Sequence, residues 1–316
     1  MSATGPKIVA VGEILWDLLP DGRQMGGAPT NFACHAHALG ASSYLISRVG
    51  NDPLGRELLA RLSEMQLATE GVSVDPVKPT GTVPVELAPG GQPTFLIRED
   101  VAWDYLEANS ASIQVAAAAD AICFGSLAQR HEVSRAAIHA VVSAARPEAL
   151  RVFDVNLRQN FYSRAVIEAS LQVANVVKLN DAELPIVADF LGLPWSPEEQ
   201  MTALAEQFSL RCVALTRGAQ GSVLFANGRW SEHSGIPTRV KDTVGAGDSF
   251  AAAMTLGLLA CWDLDEINHR ANAVAAYVAS CEGATPFLPE PVRHPFRAQT
   301  KARSDSGASS GKNKEP

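Results

Sequence analysis

Apolar positions along the chain recur in two rhythms. Short runs rich in β-branched residues, KIVAVG (7–12), SYLISRVG (43–50) and AICFGS (121–126), predict strands, and so do RVFDVN (151–156), NVVKLN (175–180), CVALTRG (212–218) and GSVLFAN (221–227). Between them lie longer stretches with helical periodicity: PTNFACHAHALG (29–40), opened by Pro29 and stopped by Gly40, PLGRELLARLSEMQ (53–66), and EVSRAAIHAVVSAA (132–145). Two Ala-rich helices are predicted near 247–261 and 263–281. Strands alternating with helices imply a parallel sheet covered on both faces. Two segments break the rhythm. GTVPVELAPGGQPTFLIRED (81–100) alternates apolar and polar residues about a Gly-Gly turn, predicting a hairpin outside the main body, and GSVLFAN with GRWSEH (228–233) predicts a second one.

Composition narrows the function classes. With 316 residues, 47% of them hydrophobic, the chain is long enough for one large domain. The net charge of −8 argues against general nucleic-acid binding, which needs clustered Lys and Arg. No apolar run nears the roughly 20 residues of a membrane helix, and MSATGPKIVAVGEI does not read as a signal peptide. Five scattered cysteines without C-x-x-C spacing read as reduced thiols, and a cytoplasmic location is expected. The tail beyond 295 has few large apolar residues and is expected to be disordered.

The chemistry concentrates in KDTVGAGDSF (241–250). Gly245, Ala246 and Gly247 carry almost no side chain at the start of an apolar helix, so backbone N–H groups there can approach an anion in the favourable field of the helix dipole. These three are candidates for an anion hole, and Asp248 for a base that takes a hydroxyl proton. A glycine turn with Asp248 as a helix cap fits the spacing equally well. No Walker A loop and no G-x-G-x-x-G after the first strand is present, which counts against a dinucleotide-dependent oxidoreductase.

DTVGAGDSF resembles the C-terminal signature of the ribokinase-like (PfkB-type) sugar kinases, and GGAPTNFACHAHALG (26–40) resembles their N-terminal signature. The resemblance runs over residues 7–290 and implies a three-layer αβα sandwich with a small β lid under which a sugar lies at the carboxyl edge of the sheet. It implies one kinase domain over 1–295, a lid formed by roughly 13–25 and 71–108, and a tail over 296–316. Asp17 in GEILWDLLP matches the Asp that binds sugar hydroxyls. Gly26, Gly27 and Asn31 are implied as further sugar contacts. Arg158 in FDVNLRQNFY resembles an Arg of fructokinases and ketodeoxygluconate kinases, and Arg98 and Trp103 in FLIREDVAWDYL are placed on the lid, facing and closing over the sugar.

For the nucleotide, KLNDAEL matches an N-x-x-E motif in which Asn180 and Glu183 organise Mg²⁺ and phosphates, Glu183 through water. LTRGAQGS resembles the family segment along which the nucleotide lies, which implies Thr216, Gly218 and Gly221 as contacts, and Asn272 falls where the family lines the adenine pocket. Asp242, Val244 and Gly283 match the family's monovalent-cation loop, a candidate K⁺ site. Phe287 stands where ribokinases are aligned with a Ser ligand, which counts against K⁺. The expected activity is transfer of the γ-phosphoryl of MgATP to a sugar, fructose first. A ketodeoxygluconate kinase or another sugar kinase of the family is the alternative, and a non-catalytic relative is disfavoured because base and anion hole are both present. A homodimer through lid strands is a further expectation.

Overall fold

The computed structural model describes residues 5–19, 22–87 and 93–296. The chain opens with β1 (Lys7–Val11), β2 (Leu15–Leu19), β3 (Gly22–Gly26), α1 (Ala28–Ala38), β4 (Ser42–Gly50) and α2 (Pro53–Glu64). Then come β5 (Val72–Asp75), β6 (Gly81–Leu87), β7 (Pro93–Phe95), α3 (Ser110–Ala117), β8 (Ala121–Gly125), α4 (Glu132–Ser143) and β9 (Leu150–Asp154). The second half holds α5 (Arg164–Val173), β10 (Val176–Asn180), α6 (Glu183–Leu191), α7 (Pro197–Gln207) and β11 (Cys212–Thr216). A hairpin of β12 (Ser222–Ala226) and β13 (Arg229–His233) leads into α8 (Ala246–Leu259) and α9 (Leu264–Ala279).

Nine strands form one sheet in the order β13-β12-β11-β10-β9-β8-β1-β4-β5, parallel from β11 through β5, with β12 antiparallel to both its neighbours. Its strands read as near-continuous apolar runs because both faces are buried. Ile8 and Ala10 enter one core, while Val9 and Val11 enter the other. The first core is closed by Phe32 of α1, Leu58 of α2, Phe250 of α8 and Val274 of α9, and the second by Ile138 of α4, Ile167 of α5 and Leu204 of α7. This is the expected α/β sandwich, helices on both faces of a mostly parallel sheet.

A second sheet, β3-β2-β6-β7, stands apart. It is narrower than the lid expected over 71–108. Residues 72–75 pair parallel with Ser47–Gly50 and extend the large sheet, since Val72 has a buried face to fill there. Ala102–Tyr105 form a short 3₁₀ turn with Ala102 and Trp103 in the core. The Gly-Gly turn at 90–91 and the tail from 297 lie outside the described residues.

Candidate active site

Beyond the carboxyl ends of β1, β9, β10 and β11, roofed by the small sheet, lies a cavity of about 950 Å³. That volume is at the upper end of the range for ligand sites, and the position is the usual one for parallel α/β sheets. One end is lined by Glu13, Asp17, Gly27, Asn31 and Arg158, the other by Thr216, Gly218, Gly221, Val240 and Asn272, and Gly245–Asp248 lie between.

The start of α8 follows from its residues. Gly245 caps the helix at φ 78°, a left-handed conformation that favours glycine, and a Cβ there would collide with the carbonyl of Ala284. The first i→i−4 bond runs from Ser249 N to Gly245 O, so the amides of Gly247 and Asp248 precede the helical ladder. Beneath Gly247 the Lys178 ammonium lies 3.0 Å from where a Cβ would stand. Lys178 donates to both carboxylate oxygens of Asp154, at 3.0 and 3.3 Å, and both side chains are buried. Burial opposes charge on Lys178, but Asp154, Glu183 and Asp248 outweigh it and raise its pKa. A fixed cation therefore underlies the turn.

Asp248 sits deep among protein atoms yet keeps a face on the cavity. Burial raises its pKa, while Lys178, the Asn31 amide and Arg158 oppose the rise. Asn31 Nδ2 donates to Asp248 Oδ2 at 2.8 Å, which ties the two halves of the chain together at the start of α8. Gly27, at φ 106°, caps α1 and leaves Asn31 one turn into the helix. Asp17, on β2, is raised to about 6 by burial, with Arg158 opposing and Asp242 adding.

The structure moves several expected contacts away from the cavity. Gly26 does not line it; its bare Cα makes room for Asp17 Oδ2, which a Cβ would strike. Arg98 is exposed, and it is Ile97, its neighbour on the opposite side of an extended segment, that faces inward. Trp103 is 1% exposed and forms a floor for Arg130, whose guanidinium lies 4.0 Å over its ring while bonding both oxygens of Asp104. Glu183 also stands behind the wall. Its two oxygens accept from Leu157 N and Asn180 N, both at 2.9 Å, so it holds the chain that presents Asn180. Asn180 itself lines the cavity, next to Asp181.

Asp242, Val244 and Gly283 do come together: the Asp242 carboxylate accepts from Val244 N at 3.0 Å and Gly283 N at 3.1 Å. The Phe287 side chain is 75% exposed, lies under Arg293 and offers no ligand to that loop. Among the described residues no cluster of three or more His, Cys, Asp or Glu could hold a metal, and no helix is long and apolar enough to cross a membrane.

Several side chains of the site were not singled out in the sequence, among them Glu13, Asp154, Lys178, Asp181 and Val240. A signal existed for Lys178, a charge inside the otherwise apolar run VVKLN, since a buried lysine is rare unless paired.

Comparison with known proteins gives this arrangement a context. Residues 21–291 match the model of the pfkB family carbohydrate kinases. An uncharacterized sugar kinase of Pyrococcus horikoshii is 32% identical over 88% of this chain and 91% of its own. Its crystal structure in complex with ATP superposes with a TM-score of 0.75, covering 88% of this chain and 94% of that one. A fructokinase of Escherichia coli is 30% identical over 90% of this chain and 96% of its own. The crystal structure of Vibrio cholerae fructokinase, in a form with fructose, ADP and calcium ion bound, is 25% identical with a TM-score of 0.75 over 93% of this chain and 99% of that one.

Proposed function

The chain belongs to the PfkB family of carbohydrate kinases, and on that premise we propose that it transfers the γ-phosphoryl group of ATP to a hydroxyl of fructose. One observation carries the reading: the Asp248 carboxylate, the Asn31 amide and the first turn of α8 meet in a single cavity. A sugar bound at the Asp17 end presents a hydroxyl to Asp248, which takes its proton as the oxygen attacks. Asp17 accepts hydrogen bonds from other hydroxyls, and an ionised acceptor makes these strong.

The charge that builds on the transferred group is met by the amides of Gly247 and Asp248 and by the Lys178 cation beneath them. Phosphoryl transfer asks little covalent help of a protein, so positioning and charge stabilisation account for most of the rate. ATP fits the far end, its phosphates along Thr216, Gly218 and Gly221 and its base against Val240 near Asn272. The Asn272 amide donates to Ser222 Oγ and to Asn268, which holds the side chain in place beside the cavity.

Asn180 and Asp181 would hold Mg²⁺ mainly through water, an arrangement that suits an ion that keeps several waters; when bound it neutralises phosphate charge. The acceptor end favours a neutral sugar. Asp17 and Asp248 both border it, against the single guanidinium of Arg158, so an acidic sugar such as ketodeoxygluconate meets repulsion. The fructokinase names among its relatives support the same choice.

A dimer through the small sheet belongs to the same proposal, because β3 and β7 are its edge strands. Sedimentation as a monomer at every concentration would remove it. For the activity, ADP release is measured across fructose, ribose and ketodeoxygluconate. Fructose is expected to give the highest kcat/KM, and turnover of ketodeoxygluconate with none of fructose overturns the substrate.

A further inference from the structure

Glu13 is 2% exposed in the wall of the acceptor end, and the chemistry above gives it no task. Its surroundings hold it from several sides. Oε1 accepts from Ala28 N at 3.1 Å, and the Glu13 carbonyl accepts from Thr30 Oγ1 at 3.0 Å. Gly27 lies so close that a Cβ would strike that same carbonyl. These residues open α1, and the next one is Asn31, the donor to Asp248. Yet the second carboxyl oxygen, Oε2, is buried without any hydrogen-bond partner.

A charged oxygen in that position is costly, because it has lost water and gained nothing. A neutral carboxyl avoids most of the cost: the proton sits on Oε2, and Oε1 still accepts from Ala28. The neighbouring charges do not favour ionisation overall. Asp248 at the head of α8, Asp17 on β2 and Asp154 on β9 bring acids rather than cations, Lys178 on β10 is committed to Asp154, and Arg158 is exposed at the mouth. His35, on α1, is turned onto the Ala284 carbonyl.

We propose that Glu13 is a positioning residue that works in its protonated form, pinning the start of α1, and so Asn31, while keeping negative charge out of the wall it shares with Asp248. Burial, opposed by its own backbone N–H and that of Ala28, moves its pKa from 4.5 up to about 7, with Asp248 adding to the rise and Arg158 opposing it. The stabilisation is complete below the ordinary carboxylate range and is lost as pH rises through 7. Above that, charge on Oε2 loosens the turn that carries Asn31, and sugar binding weakens. The effect on sugar binding rests on the kinase reading; the effect on stability does not.

The test compares the full-length wild type with Glu13→Gln and Glu13→Ala. Gln keeps an acceptor for Ala28 N and places an uncharged amide where the protonated oxygen stood. Thermal unfolding of the ligand-free proteins is followed from pH 5.5 to 8.5. Relative to wild type, Glu13→Gln should gain several degrees between pH 5.5 and pH 8.5; parallel curves overturn the proposal. The wild-type KM for fructose should rise at least fivefold from pH 6 to 8.5 with kcat changing less. Glu13→Gln should flatten that rise, and Glu13→Ala should raise KM at every pH. A wild-type KM independent of pH overturns the link to sugar binding. A ¹³C carboxyl titration of wild-type Glu13 reads the proton directly, and a midpoint below 5 overturns the proposal even where a variant fails to fold. Absence of any sugar turnover in the wild type counts against the kinase reading, while unfolding and titration still decide the proton on Glu13.

Discussion

Asn31 and Asp248 are 217 residues apart in the chain and 2.8 Å apart in the fold, amide to carboxylate. The bond favours the ionised form of Asp248 against the burial that opposes it. Asn31→Ala should therefore raise the pKa of Asp248, move the acid limb of the kcat profile to higher pH and lower kcat about tenfold at neutral pH. An unchanged limb would separate the two residues functionally.

Asp248→Asn is nearly isosteric and leaves the first turn of α8 intact. Turnover should fall by roughly 10²–10⁴ or more, the range credited to a general base, while calorimetry still detects ATP and sugar binding. Activity within a few-fold of wild type would take the base role from Asp248.

Lys178→Met strands the Asp154 carboxylate in the sheet interior, where its ion-pair partner was 3.0 Å away. Breaking a buried pair from one side costs about 3–5 kcal/mol. The double change with Asp154→Asn should recover part of that loss, as read by chemical denaturation. Because Lys178 also underlies the α8 turn, neither variant should recover full kcat.

Asp17 makes the stability of the ligand-free protein depend on pH. Its carboxyl holds a proton more tightly in the fold, to about pH 6 against 3.8 for the ordinary group. That stabilisation is complete below the ordinary value and disappears as pH rises through 6. Asp17→Asn should remove this component, on the order of 2 kcal/mol, from the difference between pH 4 and pH 8. Identical pH dependence in the two proteins would contradict the burial of this group.

Trp103 and Arg98 separate packing from sugar contact. Trp103→Ala removes a core ring and should cost about 3–5 kcal/mol. Arg98→Ala changes an exposed side chain and should stay within about 0.5 kcal/mol. Both should keep KM for the sugar within twofold under conditions where they are folded. A tenfold rise in either would return that side chain to the acceptor site.

Local pattern determined a good deal here. Runs such as KIVAVG and NVVKLN declare strands buried on both faces, because alternate residues must enter two cores, and Pro29 with Gly40 frames a helix that folds as Ala28–Ala38. The turn GAGD was legible for the same reason: a positive φ at Gly245 and bare amides at a helix start are properties of adjacent residues. The short helices α3, α5, α6 and α7 were not singled out, and neither was β5, a four-residue edge strand in which only Val72 and Asp75 are buried.

What the tertiary structure alone decided is which polar groups meet, and which side of the wall each one occupies. Glu13 beside a residue from α1, Lys178 under Gly247 and Trp103 beneath Arg130 depend on how distant segments pack, and no local rhythm encodes that. Arg98 and Ile97 show the limit most simply. Adjacent residues on an extended segment point opposite ways, so a shift of one position exchanges a cavity contact for a solvent contact, and only the packed register selects between them.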